Sequence, residues 1–458
     1  MLSRSVLAQP SVRALRQAQS ASQVSRRGLA AAASGSFGYE TGEAQGIKYA
    51  SRDTPAPTAT LAVVAKAGTR YQPLPGLADG LEKFAFKSTS KRSAVRITRE
   101  AELLGGVLNA YHSRENIVLQ AKFLKEDLPY FAELLAEVIS KTKYSRFEYA
   151  EEVARVVKLA QKETLSNTYE LALNSAHGVA FHRGLGAPLH LTSSTPITQY
   201  ISEETLQDYA SKAYATGNIA VAANGATSEE LGKWVNEFFK DTFSGSALPS
   251  QPSKYYGGEE RIAHAGGNTM VIAFNGSSSF TSGSSYKPEI PVLAALLGGE
   301  SAIKWSPGFS LLSKASAEFP GVKVKTTNAA YSDAGLFYIS LSGNAPQIAK
   351  ASKNVVDTLK KVAAGEISSE EISKAKASAK FTGLELGQTT LAGLEATGNG
   401  LISDSKAFQV DEAAKSLDKV TDASVKSAAK SLLESKATVA TVGDLFLLPF
   451  AEEIGLKV

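Results

Sequence analysis

Residues 244–258, SGSALPSQPSKYYGG, cut the chain into two parts of similar length, and the two parts echo each other. The stretch concentrates Ser, Pro and Gly and has no helical periodicity, so it reads as a linker. Before it stands SEETLQDYASKAYATGNIAVAANGATSEELGKWVNEFF. The chain closes on TDASVKSAAKSLLESKATVATVGDLFLLPFAEEI. Each predicts an amphipathic helix, a short strand, a Gly turn and a closing segment, the first with a capping box of Thr227 and Glu230. The centres echo as well. LLGGVLNAYHSRENIVLQAKFLKEDLPYFAELLAEVI and FPGVKVKTTNAAYSDAGLFYISLSGNAPQIAKASKNVVDTL both read strand, turn, strand, helix. The short loops make each strand pair antiparallel. Long helices follow in FEYAEEVARVVKLAQKETLSN and in SSEEISKAKASAKFTGLELGQ, the latter capped by Ser368 and Glu371. A repeat of this kind predicts an α+β fold of two tandem homologous domains, each a mostly antiparallel sheet with helices packed on one face, closing as a clamshell.

Charge and composition narrow the function. The formal charge of +4 comes from residues 1–34, which hold Arg4, Arg13, Arg16, Arg26 and Arg27 and no acid. Without those five, 44 basic side chains face 45 acidic ones, a net of −1, which gives no electrostatic case for binding nucleic acid. The segment itself is Arg-rich and Ser-rich, the composition of a mitochondrial presequence, with cleavage expected after Leu29 in RRGLAA. The expected organisation is presequence 1–29, flexible tail 30–43, first domain 44–243, linker 244–258 and second domain 259–458. Cysteine is absent, which removes disulfides, thiolate zinc sites, Cys-ligated iron–sulfur clusters and c-type haem. No apolar run approaches the ~18–20 residues of a spanning helix, so the expected chain is soluble or peripheral.

The segment PGLADGLEKFAFKSTSKR resembles the zinc-binding helix of the pitrilysin-type metallopeptidases, the inverzincins, whose mitochondrial branch reads roughly G-x-A-H-F-L-E-H-M-x-F-K-G-T. The match runs through Gly76, Ala78, Leu81, Glu82, Phe86, Lys87 and Thr89. It extends over LNAYHSREN and YSDAGLF, and covers most of residues 44–452. In the family pattern H-x-x-E-H, two His bind zinc, the Glu activates water, and a downstream Glu completes the ligand set. Carried onto this chain, the His positions are Asp79 and Lys83, the general base is Glu82, and the downstream Glu falls on Ala160. A lysine ammonium has no lone pair and a methyl group has no donor. The resemblance therefore implies four vestigial positions with no catalytic residue, no bound metal and no cofactor. An i,i+4 ion pair of Asp79 with Lys83 is expected in place of two ligands.

Other residues offer little. Asp79 with Glu82 could hold magnesium but for the Lys83 charge. His177 and His182 are five apart and share no helix face, so a structural role is expected. His112 and Glu115 read as a solvated hairpin, and His190 and His264 carry no motif. Neither Gly298-Gly299 nor GGNTM precedes a Lys-Ser/Thr pair, so neither is a phosphate loop, and no serine elbow or triad is present.

Two non-catalytic branches of the family come into question. One is the substrate-recognising alpha subunit of the mitochondrial processing peptidase, which keeps a flexible Gly-rich loop. Here that loop is LLGGESAIKWSPGFSLL, which retains Gly298, Gly299, Ser301 and Gly308 but carries Ile303, Trp305 and Pro307, so it is stiffened. The other branch is favoured for that reason. It implies a structural subunit of the dimeric respiratory ubiquinol–cytochrome c reductase, peripheral on the matrix side of the inner membrane and paired with core protein 1. The apolar residues of LFLLPF, 445–450, are candidates for a partner surface.

Overall fold

The computed structural model describes residues 38–282, 285–299, 308–388, 390–404 and 406–458. The expected presequence, the retained Ser301 and the replaced positions Ile303, Trp305 and Pro307 lie outside them.

The first half forms β1 (Glu40–Ala44), β2 (Ile47–Arg52), β3 (Thr58–Ala65), α1 (Leu77–Phe84), α2 (Ala94–Leu103), β4 (Val107–His112), β5 (Ile117–Leu124) and α3 (Leu128–Lys141). A helical turn at Arg146–Glu148 and a π segment at Tyr149–Val153 lead into α4 (Ala154–Ser166). There follow α5 (Thr168–Phe181), α6 (Glu203–Ala213), β6 (Ile219–Asn224) and α7 (Ser228–Phe238). The second half forms β7 (Gly258–Ala263), β8 (Asn268–Asn275), α8 (Glu289–Leu297), α9 (Leu311–Ser316), β9 (Lys323–Ala330), β10 (Gly335–Gly343) and α10 (Ala345–Ala364). It ends with α11 (Ser369–Gln388), α12 (Thr390–Asp404), α13 (Val410–Asp418), α14 (Asp422–Glu434) and β11 (Thr438–Gly443). The first capping box forms as read, with Thr227 capping α7 and Glu230 reaching back; at the second, Ser368 accepts from the Glu371 amide, while the Glu371 carboxylate pairs with Lys314.

The repeat is a repeat of topology. The first sheet runs β1-β2-β6-β3-β5-β4 and the second β7-β11-β8-β10-β9. In each, one parallel pair (β2 with β6, β7 with β11) joins an otherwise antiparallel sheet. Dropping β1, the two orders superpose strand for strand. The fold is α+β with two tandem units, as the sequence predicts. One boundary needs correction: residues 40–43, read as the end of a flexible tail, form most of β1 and pair with β2. Tyr39 just before it is buried, its hydroxyl 2.9 Å from Asn224 Oδ1, and this burial anchors the strand.

Each sheet buries both faces, and this explains why TATLAVVA and NTMVIAFN read as continuous apolar runs. Successive side chains alternate between faces. In β3, Leu61, Val63 and Ala65 point into the core built by the first half's own helices, while Ala62 and Val64 meet Leu394 and Leu401 of α12, from the second half. The reverse holds across the molecule. Met270, Ile272 and Phe274 face the second half's own core, while Val271 and Ala273 pack with Leu171, Ala172, Ala176 and Ala180 of α5, from the first half. The halves thus exchange one helix each. Close approach makes this possible: a Cβ added at Gly398 of α12 would lie 2.4 Å from Val64 Cγ2. Gly398→Leu is expected to lift α12 from β3 and cost about 1–3 kcal/mol, the usual penalty of overpacking, read by chemical denaturation.

His177 on α5 belongs to this junction. Its Nδ1 donates to Leu173 O at 2.7 Å, and Nε2 accepts from the Tyr331 hydroxyl of the second half at 2.8 Å. Burial first, and the nearby Arg114 charge second, push its pKa well below the ordinary histidine value. The folded state therefore holds His177 neutral while the unfolded chain takes up a proton below pH 6.5. The stability this residue contributes is complete above pH 6.5 and falls by about 1.4 kcal/mol per pH unit below it. Equilibrium unfolding at pH 7 and pH 5.5 should show this slope, and His177→Gln should flatten it.

Candidate functional site

Helix α1 starts at Gly76, whose φ of 92° is the left-handed conformation glycine adopts without strain. Leu77, Ala78, Leu81 and Phe84 anchor the helix in the core. That anchoring turns Asp79 and Glu82 inward as well, and both are buried. Helix α4, carrying Ala160, packs beside α1. Strand β4 is the free edge of the first sheet, and it borders a shallow cleft of about 300 Å³ lined by Glu82, Lys83, Phe86, Lys87, Leu108 and Val156.

The expected Asp79–Lys83 pair is not formed. Lys83 Nζ is bonded to Glu82 Oε1 instead. Asp79 faces inward and receives His190 Nδ1 at 2.9 Å, with His112 Nε2 4.0 Å away. The reason is burial: a carboxylate out of water takes the nearest polar partners, and here these are two imidazoles. The reading of His112 and Glu115 as a solvated hairpin is also corrected, since both are buried. The turn between β4 and β5 lies under residues 331–333 of the second half, a contact that no local pattern announces. His112 Nδ1 is bonded to Glu82 Oε2, and Nε2 lies 2.8 Å from Leu189 O.

Glu82 is thereby engaged at both oxygens. Burial alone would raise its pKa. The hydrogen bond and charge of His112, followed by those of Lys83, outweigh burial and bring it down to about 2. His112 shifts the other way: burial lowers it, but Glu82 and Asp79 raise it to a net value above the ordinary one. The two form an imidazolium–carboxylate pair where a peptidase of the resembling family keeps a free base.

The residues at the family's ligand positions do not fit zinc. Three protein donors are needed, and Lys83 is an ammonium tied to Glu82 while Ala160 ends in a methyl group. His190, which does approach Asp79, sits in an irregular segment and offers no sequence signal beyond its imidazole. Of the other histidines, His182 stacks on Tyr256 with ring centroids 4.0 Å apart, and His264 Nε2 lies 3.1 Å from Leu165 O.

Behind the cleft the two family-like motifs LNAYHSREN and YSDAGLF meet. Arg70 Nη1 donates to Glu115 at 2.7 Å, and Nη2 donates to Asp333 at 2.7 Å and to Gln251 O at 2.9 Å. Glu115 also accepts from the amide and hydroxyl of Ser332, at 2.8 and 2.6 Å. One buried cluster thus ties the first half, the connecting segment and the second half together.

This fold of two repeated units, with the remains of a zinc-helix pattern on the first, defines a class. The pattern of the insulinase (M16) peptidases matches residues 48–192, and that of the M16 inactive domain matches residues 200–379. The chain belongs to the M16 peptidase family. It is 51% identical, over the whole of both chains, to a protein of Neurospora crassa named cytochrome b-c1 complex subunit 2, mitochondrial. It is 37% identical to the protein of that name in Schizosaccharomyces pombe, over 91% of this chain and 95% of the relative. An Arabidopsis thaliana protein named "Probable mitochondrial-processing peptidase subunit alpha-1" is 26% identical over 90% of this chain and 83% of its own.

Proposed function

We propose that the chain is a non-catalytic structural subunit of the mitochondrial cytochrome b-c1 complex. The observation that carries this reading is the 51% identity, without a gap in coverage, to a subunit of that complex. The site chemistry agrees with it. Two of the three zinc positions, Lys83 and Ala160, have no lone pair to give, the third, Asp79, receives His190, and the general-base position, Glu82, is held as a counterion. We read the zinc site as degenerate and the chain as having no peptidase activity of its own. Its place is the matrix face of the inner membrane, bound peripherally. No helix among the described residues is long and apolar enough to cross a membrane.

Its partner in this reading is core protein 1, within a dimeric complex, and it carries no redox centre. We assign units to residues 44–243 and 259–458 joined by 244–258, the first extended back to Glu40 by β1, and a presequence to residues 1–29. Within 445–450, Phe446 is fully exposed and Leu447 and Phe450 about half so, which suits a partner surface, whereas Leu448 is buried and belongs to the core. The test is deletion of the chain in cells. Loss of assembled cytochrome b-c1 complex, with processing of imported presequences intact, is the expected result. Loss of presequence processing, with the complex still assembled, would favour the processing-peptidase alpha subunit instead.

A further inference from the structure

We propose that Asp79, His112 and His190 form a binding site for one divalent transition-metal ion, Zn²⁺ being the best match, with a set of ligands different from the family's. Of the family's positions only residue 79 takes part. His112 comes from β4, and His190 from the irregular segment after α5. The three candidate donor atoms, one oxygen and two imidazole nitrogens, all lie within 4.8 Å of one another. Asp79 Oδ1 is 2.9 Å from His190 Nδ1 and 4.0 Å from His112 Nε2. Donors around a tetrahedral zinc, each about 2.0–2.2 Å from the ion, stand about 3.3–3.5 Å apart, between those two separations. To share one ion, Asp79 and His190 must move slightly apart and Asp79 and His112 slightly together.

The surroundings are those of a metal site. Glu82 holds the far nitrogen of His112, as an outer carboxylate holds a ligating imidazole and directs its other nitrogen to the ion. The two imidazole rings stand edge to face, with centroids 5.1 Å apart. Asp79 and His112 are buried, whereas the His190 side chain is 31% exposed, which leaves a path for the ion and room for a water as the fourth ligand. Two neutral imidazoles and one carboxylate are borderline donors, suited to Zn²⁺ or Co²⁺ and poorly to Mg²⁺ or Ca²⁺. Binding through His112 Nε2 displaces the proton this nitrogen gives to Leu189 O, and that proton leaves to solvent. The ion would pin the segment carrying His190 to α1. It would not restore hydrolysis, because Glu82 is committed to His112 and Lys83 and cannot take a proton from bound water.

The experiment is a calorimetric titration of the full chain with zinc chloride, followed by metal analysis after gel filtration and by the visible spectrum of the cobalt form. One equivalent of zinc per chain and a tetrahedral cobalt spectrum are expected. Glu82→Gln should weaken binding about 10–100-fold, as loss of an outer-shell partner does, and His190→Ala by more than that. His264→Ala should leave it unchanged. His190→Gln keeps a donor for the buried Asp79 and is expected to elute and unfold like the parent chain, whereas His190→Ala removes that donor and should elute like the parent but unfold earlier. Less than one equivalent bound by the parent, or uptake unaffected by both His190 variants, would overturn the site.

Discussion

Replacing Glu82 by alanine should destabilise the protein by about 3–5 kcal/mol, the cost of leaving a buried charge without its partner, while changing no hydrolytic activity. In a working peptidase with the family pattern the same residue activates water, so its removal acts on turnover. Here both carboxylate oxygens are spent, one on His112 and one on Lys83. His112 is enclosed, so without Glu82 its charge has only Asp79 as counterion. Glu82→Gln should cost less than Glu82→Ala, because the amide keeps a hydrogen bond to the imidazole. The pH dependence separates the two effects. A carboxyl lowered in the fold contributes stability that is complete above its unfolded value of 4.5 and is lost as pH falls through the folded value of about 2. The unfolding free energy of the parent chain from urea titration should fall across that interval by an amount on the order of 3 kcal/mol, and Glu82→Gln should lack that part of the fall. Equal stability of parent and Glu82→Ala chains would show that the pair is not structural.

The second large effect is expected at Arg70. Arg70→Ala removes the cation shared by Glu115 and Asp333, together with the donor to Gln251 O. Glu115 is almost fully buried and Asp333 is about one-third exposed, so the loss falls mainly on Glu115. A cost of about 3–5 kcal/mol follows from stranding that charge. The cluster spans the two halves, so the variant should also loosen their contact, seen as faster amide exchange in α5 and α12. Combining Arg70→Met with Glu115→Gln should recover part of the stability, since removing both charges leaves no ion stranded. A single variant as stable as the parent would mean that solvent reaches Glu115.

Local features of the fold were legible because their causes are local. Thr227 and Glu230 announce the start of α7, and the alternation in VLNAYH and IVLQAKFL announces a hairpin. What sequence pattern could not supply was every contact made across the repeat. The apolar stripe of α5 shows that it is buried, but nothing in Leu171, Ala172 or Ala176 says that the sheet beneath them belongs to the other half. The same distance hid the burial of Glu115, whose lid is Ser332, and the approach of His190 to Asp79 across more than a hundred residues. At the candidate site, residue chemistry alone is the ground for proposing that Lys83 and Ala160 hold no zinc. Where Lys83 would turn was missed, because an i,i+4 spacing describes an exposed helix face and α1 is buried along the side that carries Asp79.

We propose that this M16 fold has exchanged catalysis for assembly. Native electrophoresis of mildly solubilised mitochondria, probed for this chain, tests it most directly. Migration of nearly all of the chain with the cytochrome b-c1 complex is the predicted result. A chain found only as a soluble matrix heterodimer that binds presequence peptides would contradict it.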